Sequence, residues 1–286
     1  MEAVTNFLQN TWGPLVLIFT VSNLATMGLQ IKIPQVSVAM RNKKSMGLIF
    51  IWGWVVGPAF AYLITRILPL AEPFVIVMLL ASLAPCAPFL QQMVGKAKGD
   101  IGFAGAFIPL VVVGTVVLMP LMAPMLIPGL TINASALAKP LLLTILLPLL
   151  IGAAFRHFAD TFTTKFFPVA KIFAMLSTLA TIVWALVLYG RSMLDTAGSF
   201  ALLAMTLFMI GMGFITYRLG FGMKQNVRSV MSLGMGTRNI AAVMTAALAI
   251  PDGDPRIVTM VVMWTLWSVV LAAGGAKIFG KQALSE

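Results

Sequence analysis

An all-α polytopic membrane protein is the fold class this sequence predicts, and three observations predict it. Hydrophobic residue types fill 60% of the 286 positions and charged ones only 9%, a surface chemistry that no water-exposed globule of this size carries. The mean hydropathy is strongly positive. The apolar stretches are long enough to span a bilayer, and the loops between them, rich in Gly, Pro and charge, are short.

At roughly 20 apolar residues per crossing, nine spans follow in order, near residues 12–30, 46–67, 74–95, 101–127, 136–156, 169–189, 197–217, 227–250 and 256–276. The N-terminus Met1-Glu-Ala-Val-Thr-Asn-Phe has no basic n-region, so the first apolar stretch is expected to remain as a span rather than be cleaved. The connections leave no room for an appended soluble domain, so residues 1–286 are expected to form a single transmembrane unit. One Cys, Cys86, excludes an intrachain disulfide, and one His, His157, leaves little for metal chemistry. No His-Glu-x-x-His, paired intramembrane Asp or Ser/His pairing is present, so no enzyme is expected.

The formal charge of +11 reads as topology rather than as nucleic-acid binding. With the N-terminus outside, only Arg66, Lys139, Arg191 and Arg256 fall in outside loops. Every other Lys and Arg except Arg238 falls inside, as the positive-inside rule requires for an odd number of spans. The C-terminus is then cytoplasmic, in an integral membrane protein expected in a bacterial inner membrane.

Arg238 is the exception. It sits within a long uncharged run, and an arginine at membrane depth costs at least ~3 kcal/mol unless it faces a cavity or a partner. The eight carboxylates (Glu2, Glu72, Asp100, Asp160, Asp195, Asp252, Asp254 and Glu286) all lie in loops or at span ends, so none is an evident partner. Two readings remain: backbone carbonyls cap the guanidinium at a kink, or it awaits an anionic ligand.

Its neighbours point to a broken helix. Ser232, Gly234, Gly236, Thr237 and Asn239 are poor helix formers concentrated in mid-span, and the break is expected near residues 233–238. The third span carries a matching interruption. Pro85 and Pro88 each remove a backbone donor and clash with the preceding turn, unwinding the helix near residues 84–88. Unwound backbone at that depth is tolerated only inside protein or beside a wet cavity. Two interrupted spans in different halves of a chain are the sequence mark of a secondary transporter's binding site. Cys86, between the prolines, and Gln91 and Gln92, which open the second half of the third span, are candidate lining residues.

At this point the chain resembles the bile acid:sodium symporter family. Pro85 with its interruption and the ending Lys98-Gly-Asp100 is similar to that family's Pro-Gly-Gly-Thr-Ala-Ser-Asn segment running on to Lys-Gly-Asp. Ser232-Leu-Gly-Met-Gly-Thr237 is similar to its Glu-Val-Gly-Met-Gln-Asn crossover. The resemblance implies an inverted-repeat transporter fold whose third and eighth spans are discontinuous and cross. It also implies a nine-helix chain lacking the family's first helix. It further implies a core of spans 74–127 and 227–276 against a panel of spans 12–67 and 136–217.

Carried over position by position, the resemblance breaks at the sodium ligands. The family's Ser and Asn of the first crossover correspond to Leu90 and Gln91, and the Ser and Thr of the next helix to Ala104 and Ile108. The crossover Glu corresponds to Ser232, the Gln after Gly-Met to Gly236, and a Gln from an earlier helix to Gly53. Gln91, Ser232, Met235 and Thr237 are what is left for a residual sodium site. Sodium coupling is therefore expected to be weakened or lost, and no cofactor is expected. The function expected is secondary transport of a small organic anion by alternating access, with Arg238 as anion anchor. The substrate-binding residues would be Pro85, Cys86, Pro88, Gln91, Gln92, Ser232, Gly234, Gly236, Thr237, Arg238 and Asn239. Two alternatives stay open: a sodium symporter with a rebuilt site, and an anion channel on the same broken helices. The expected partners are the anion and the lipid bilayer, with no nucleic acid.

Overall fold

The computed structural model describes residues 2–127, 133–251 and 253–284; Asp252 and Glu286, two of the carboxylates named above, lie outside them. The elements are helices: α1 (Glu2–Gly28), α2 (Ile33–Arg41), α3 (Lys43–Phe50), a π-helical segment (Ile51–Val56), α4 (Gly57–Ile67), α5 (Glu72–Ser82), α6 (Leu90–Lys96) and α7 (Ile101–Leu126). They continue with α8 (Ala134–Leu141), a second π-helical segment (Leu142–Leu146), α9 (Leu147–Phe158), α10 (Asp160–Ala197), α11 (Ala201–Arg218), α12 (Gln225–Gly236), α13 (Ile240–Leu248) and α14 (Pro255–Gln282).

Among the described residues, six stretches are long and apolar enough to cross a membrane: Lys43–Ile67, Ile101–Leu126, Ala134–Phe158, Asp160–Thr196, Ala201–Arg218 and Pro255–Gln282. Their outward faces bear apolar side chains such as Leu121, Leu150, Val187 and Ile210, all exposed, which is what a bilayer accepts and water does not.

The caps follow the local sequence. Asn42, Asp100, Asn133 and Asp254 each accept a hydrogen bond from a first-turn amide of the helix that follows, at 3.1, 2.8, 2.9 and 2.8 Å, satisfying donors the helix start leaves orphaned. Arg256, bonded to Asp254, holds that carboxyl below the usual carboxylate range.

Three features depart from the sequence expectation. A short amphipathic helix, α2, occupies what reads as an inside loop. α10 runs for 38 residues, beyond the span expected at 169–189, because Lys165, Lys171 and Arg191 extend exposed side chains from it without interrupting it. The second and fifth spans each contain a π-helical turn, which inserts an extra residue into the helical ladder.

Two sets of contacts organise the helices. α1 packs closely on α9 and α10. A Cβ on Gly28 would fall 2.2 Å from the Leu149 carbonyl oxygen, and one on Gly152 would fall 2.2 Å from that of Ala25, so the α1 and α9 backbones touch, as small residues permit between membrane helices. Asn23 bonds Thr178 at 3.0 Å and Ser22 bonds Ser177 at 2.9 Å, tying α1 to α10. In the second set, α4 packs on α5 and α11, α11 on α12, and α14 on α5, α12 and α13, around the fully buried Trp264 and Phe208.

Candidate functional site: two facing helix breaks

α5 stops at Ser82 and α6 begins at Leu90; α12 stops at Gly236 and α13 begins at Ile240. The first break falls where its prolines predict. The second is shorter and later than expected, since helix persists through Gly234 and Gly236. Close packing holds it there: a Cβ on Gly234 would lie 2.3 Å from the Phe107 ring, and one on Gly236 would lie 3.1 Å from the Met209 carbonyl oxygen.

The breaks face each other and pair as antiparallel backbone, Pro85 opposite Arg238. Three amides cross from one segment to the other. Cys86 N–H, which an unbroken helix would aim at the Ser82 carbonyl, donates instead to Gly234 and Thr237 at 2.9 Å each. Asn239 N–H, whose helical acceptor would be Met235, donates to Ala84 at 2.8 Å. The Ala84 carbonyl is available because Pro88, its partner in a continuous helix, has no N–H. Ala87 N–H donates to the Thr237 hydroxyl at 3.1 Å.

This exchange orphans three carbonyls in buried surroundings, and side chains meet all three. Trp54 Nε1 donates to Leu83 at 3.1 Å. Arg238 supplies the other two bonds, through one terminal nitrogen to Ser82 at 3.4 Å and through the other to Met235. The Arg238 guanidinium is fully buried and lies over the Phe208 ring, 4.6 Å from its centroid. It therefore stands at the C-terminal ends of two helices, where the backbone dipoles favour a cation, with an aromatic face beneath it. Arg238 Nε and Asn239 Nδ2 are buried without a hydrogen-bond partner among the described residues, although Asn239 Oδ1 caps α13 through Ala242 N–H at 3.3 Å.

Of the residues singled out from sequence, the structure brings Pro85, Cys86, Gly234, Met235, Thr237, Arg238 and Asn239 into one network. Ser232 lies beside it and donates to the Gly213 carbonyl at 2.7 Å. Pro88 and Gln91 are half-buried and Gln92 is exposed; neither glutamine joins the network. Leu90, Ala104 and Ile108 are buried apolar side chains. Gly53 faces both breaks, its absent Cβ lying 3.5 Å from the Pro85 ring and 3.7 Å from Met235 Cε. Sequence reasoning missed Trp54 and Phe208. An aromatic in an apolar span carries no mark of the carbonyl or cation it will meet.

Helices of this length and apolarity fit a polytopic integral membrane protein. The family model of the sodium bile acid symporter family matches residues 15–196, well over half of the chain, and the protein belongs to that family. A relative in Oryza sativa subsp. japonica, the probable sodium/metabolite cotransporter BASS2, chloroplastic, is 22% identical over 156 residues. That stretch is 54% of this chain and 37% of the relative's own length. The family match contains the first break and ends before the second.

Proposed function

We propose that this protein carries a small organic anion across the membrane by alternating access, with the paired breaks as the substrate-adjacent element and with little or no dependence on sodium. The observation that carries the reading is Arg238: a fully buried cation at the meeting point of two helix ends, with no carboxylate contact and no partner for Nε among the described residues. Its terminal nitrogens are spent on carbonyls, so what it offers a ligand is its positive charge and one N–H rather than the bidentate fork. The start of α13, capped by Asn239, adds a second source of partial positive charge.

The sodium reading rests on the same place. A desolvated cation needs a shell of oxygens, and of the seven positions at which the family resemblance puts oxygen side chains five are Leu90, Ala104, Ile108, Gly53 and Gly236 here, leaving Gln91 and Ser232. The Met235 and Ser82 carbonyls, which a metal ion would also seek, are taken by the guanidinium.

The proposed membrane arrangement is nine spans, N-terminus outside, with α5/α6 and α12/α13 as discontinuous spans of an inverted-repeat fold. The packing favours a smaller panel than the sequence suggests. α1, α9 and α10 form it, while α4 and α11, from spans 46–67 and 197–217, join the core through α5 and α12.

The test uses purified protein in liposomes, with and without a sodium gradient, beside Arg238→Gln, whose amide still donates to carbonyls but carries no charge. Uptake of the anion should be nearly unchanged when potassium or choline replaces sodium. Arg238→Gln should weaken anion binding by about 1.5–3 kcal/mol, the range for a hydrogen bond to a charged group. Unchanged affinity in folded Arg238→Gln rules out the anchor, and a saturable sodium requirement overturns the uncoupled reading.

A further inference from the structure

A cavity of about 950 Å3 lies between α11, α12 and α14, on the side of the second break where Trp54 and the first break are not. Glycines make it: Gly213, Gly236, Gly274 and Gly275 line it, and a Cβ placed on Gly274 would meet nothing within 4 Å. Its walls are otherwise almost wholly apolar. Its rim carries Ile210, Phe214, Val270 and Ile278, exposed by 56, 60, 58 and 58%, so it opens sideways onto the face that meets lipid.

One end is different. Arg228 and Arg218 line the cavity there. The Arg228 guanidinium lies over the Tyr217 ring, 4.7 Å from its centroid, and its stem passes over Gly220, where a Cβ would come within 2.6 Å of it. Arg228 Nε is buried with no hydrogen-bond partner among the described residues. Arg218 stands over Phe214 at 5.5 Å. Among the described residues, no carboxylate lines the cavity. An apolar slot open to the bilayer, ending in two arginines held on aromatic faces, has the chemistry of a lipid with a negative head, because basic pockets between membrane helices take anionic headgroups.

We propose that this cavity is a binding site for an anionic phospholipid, its phosphate against Arg228 and one acyl chain lying between α11, α12 and α14 as far as Gly236 and Thr237. Arg238, on which the anion reading rests, does not line the cavity, although Ser232, Gly236 and Thr237 do, and the test needs no transport. A free inorganic anion would leave the apolar walls empty, and a zwitterionic lipid would bring a compensating cation to the arginines. The lipid chain ends beside the α12 terminus, so its occupancy bears on the segment that carries the second break.

The experiment titrates the full chain in mild detergent with phosphatidylglycerol, phosphatidylcholine or inorganic phosphate and reads thermal unfolding. Phosphatidylglycerol should raise the melting temperature saturably while the other two do not. Arg228→Gln should weaken that response by about tenfold or more, the equivalent of one charge-assisted hydrogen bond. Gly274→Leu, whose Cβ would meet nothing within 4 Å, should abolish it and keeps the test alive should Arg228→Gln not fold. An equal response to phosphatidylcholine or to phosphate overturns the proposal, as does a phosphatidylglycerol response that survives Gly274→Leu. A dimer that Gly274→Leu disrupts, with no lipid response, would assign the slot to a second copy and overturn it too.

Discussion

The first helix break and the second end their helices by opposite means. Between Ser82 and Leu90 the chain uses two prolines, so the interruption is built into the covalent backbone, and the adjoining groove is filled: Trp54 packs its indole against α7 so tightly that a Cβ on Gly114 would come within 2.3 Å of the ring. Between Gly236 and Ile240 there is no proline. That helix ends because its amides have better acceptors across the gap and because Arg238 covers the carbonyls left behind. The adjoining groove is empty and glycine-lined. A break held by covalent geometry survives the loss of any one contact, whereas a break held by a buried side chain depends on that chain.

The largest expected effect tests the filled groove against the open one. Gly114→Ala should destabilise the protein by about 1–3 kcal/mol, the usual cost of overpacking, while Gly274→Ala should be neutral or stabilising by up to about 1 kcal/mol, since alanine is the better helix former. Thermal unfolding in one detergent measures both, and equal losses would erase the distinction between the grooves. Next in size, Trp54→Phe keeps an aromatic side chain but removes the pyrrole ring and its bond to the Leu83 carbonyl, which should cost about 1 kcal/mol or more given that the carbonyl is buried; an unchanged melting temperature would show that this orphan is met another way. The smallest effect concerns Cys86, whose φ of 75° is left-handed. Cys86→Gly relieves about 1–2 kcal/mol of backbone strain and gives back about 0.5–1 of it to unfolded-state entropy. A gain of about 0–1.5 kcal/mol is expected, and a marked loss would mean that the thiol, not the turn, is what the position needs.

Much of this contrast was legible in the amino acids. Pro85 and Pro88 announce the first break because proline acts on its own backbone, whatever surrounds it. Arg238 announces the second because a lone charge in an apolar run demands an explanation. What it would touch was not legible, since its partners, the Ser82 and Met235 carbonyls, are backbone atoms that every residue has. The position of the second break was missed by a few residues for a related reason: Gly234 weakens a helix in isolation, yet here Phe107 occupies the space its missing side chain leaves. The π-helical turns gave no residue-level sign.

The backbone pairing of Pro85 with Arg238 has a mechanical consequence. Irregular stretches inside long helices are the natural places to look for bending, but these two are cross-braced, each supplying the hydrogen bonds the other lacks. α5, α6, α12 and α13 should therefore move as one solid piece, with flexure displaced to the connections outside it. Amide hydrogen exchange should find Cys86 and Asn239 among the slowest positions in the chain, although neither lies within a helix.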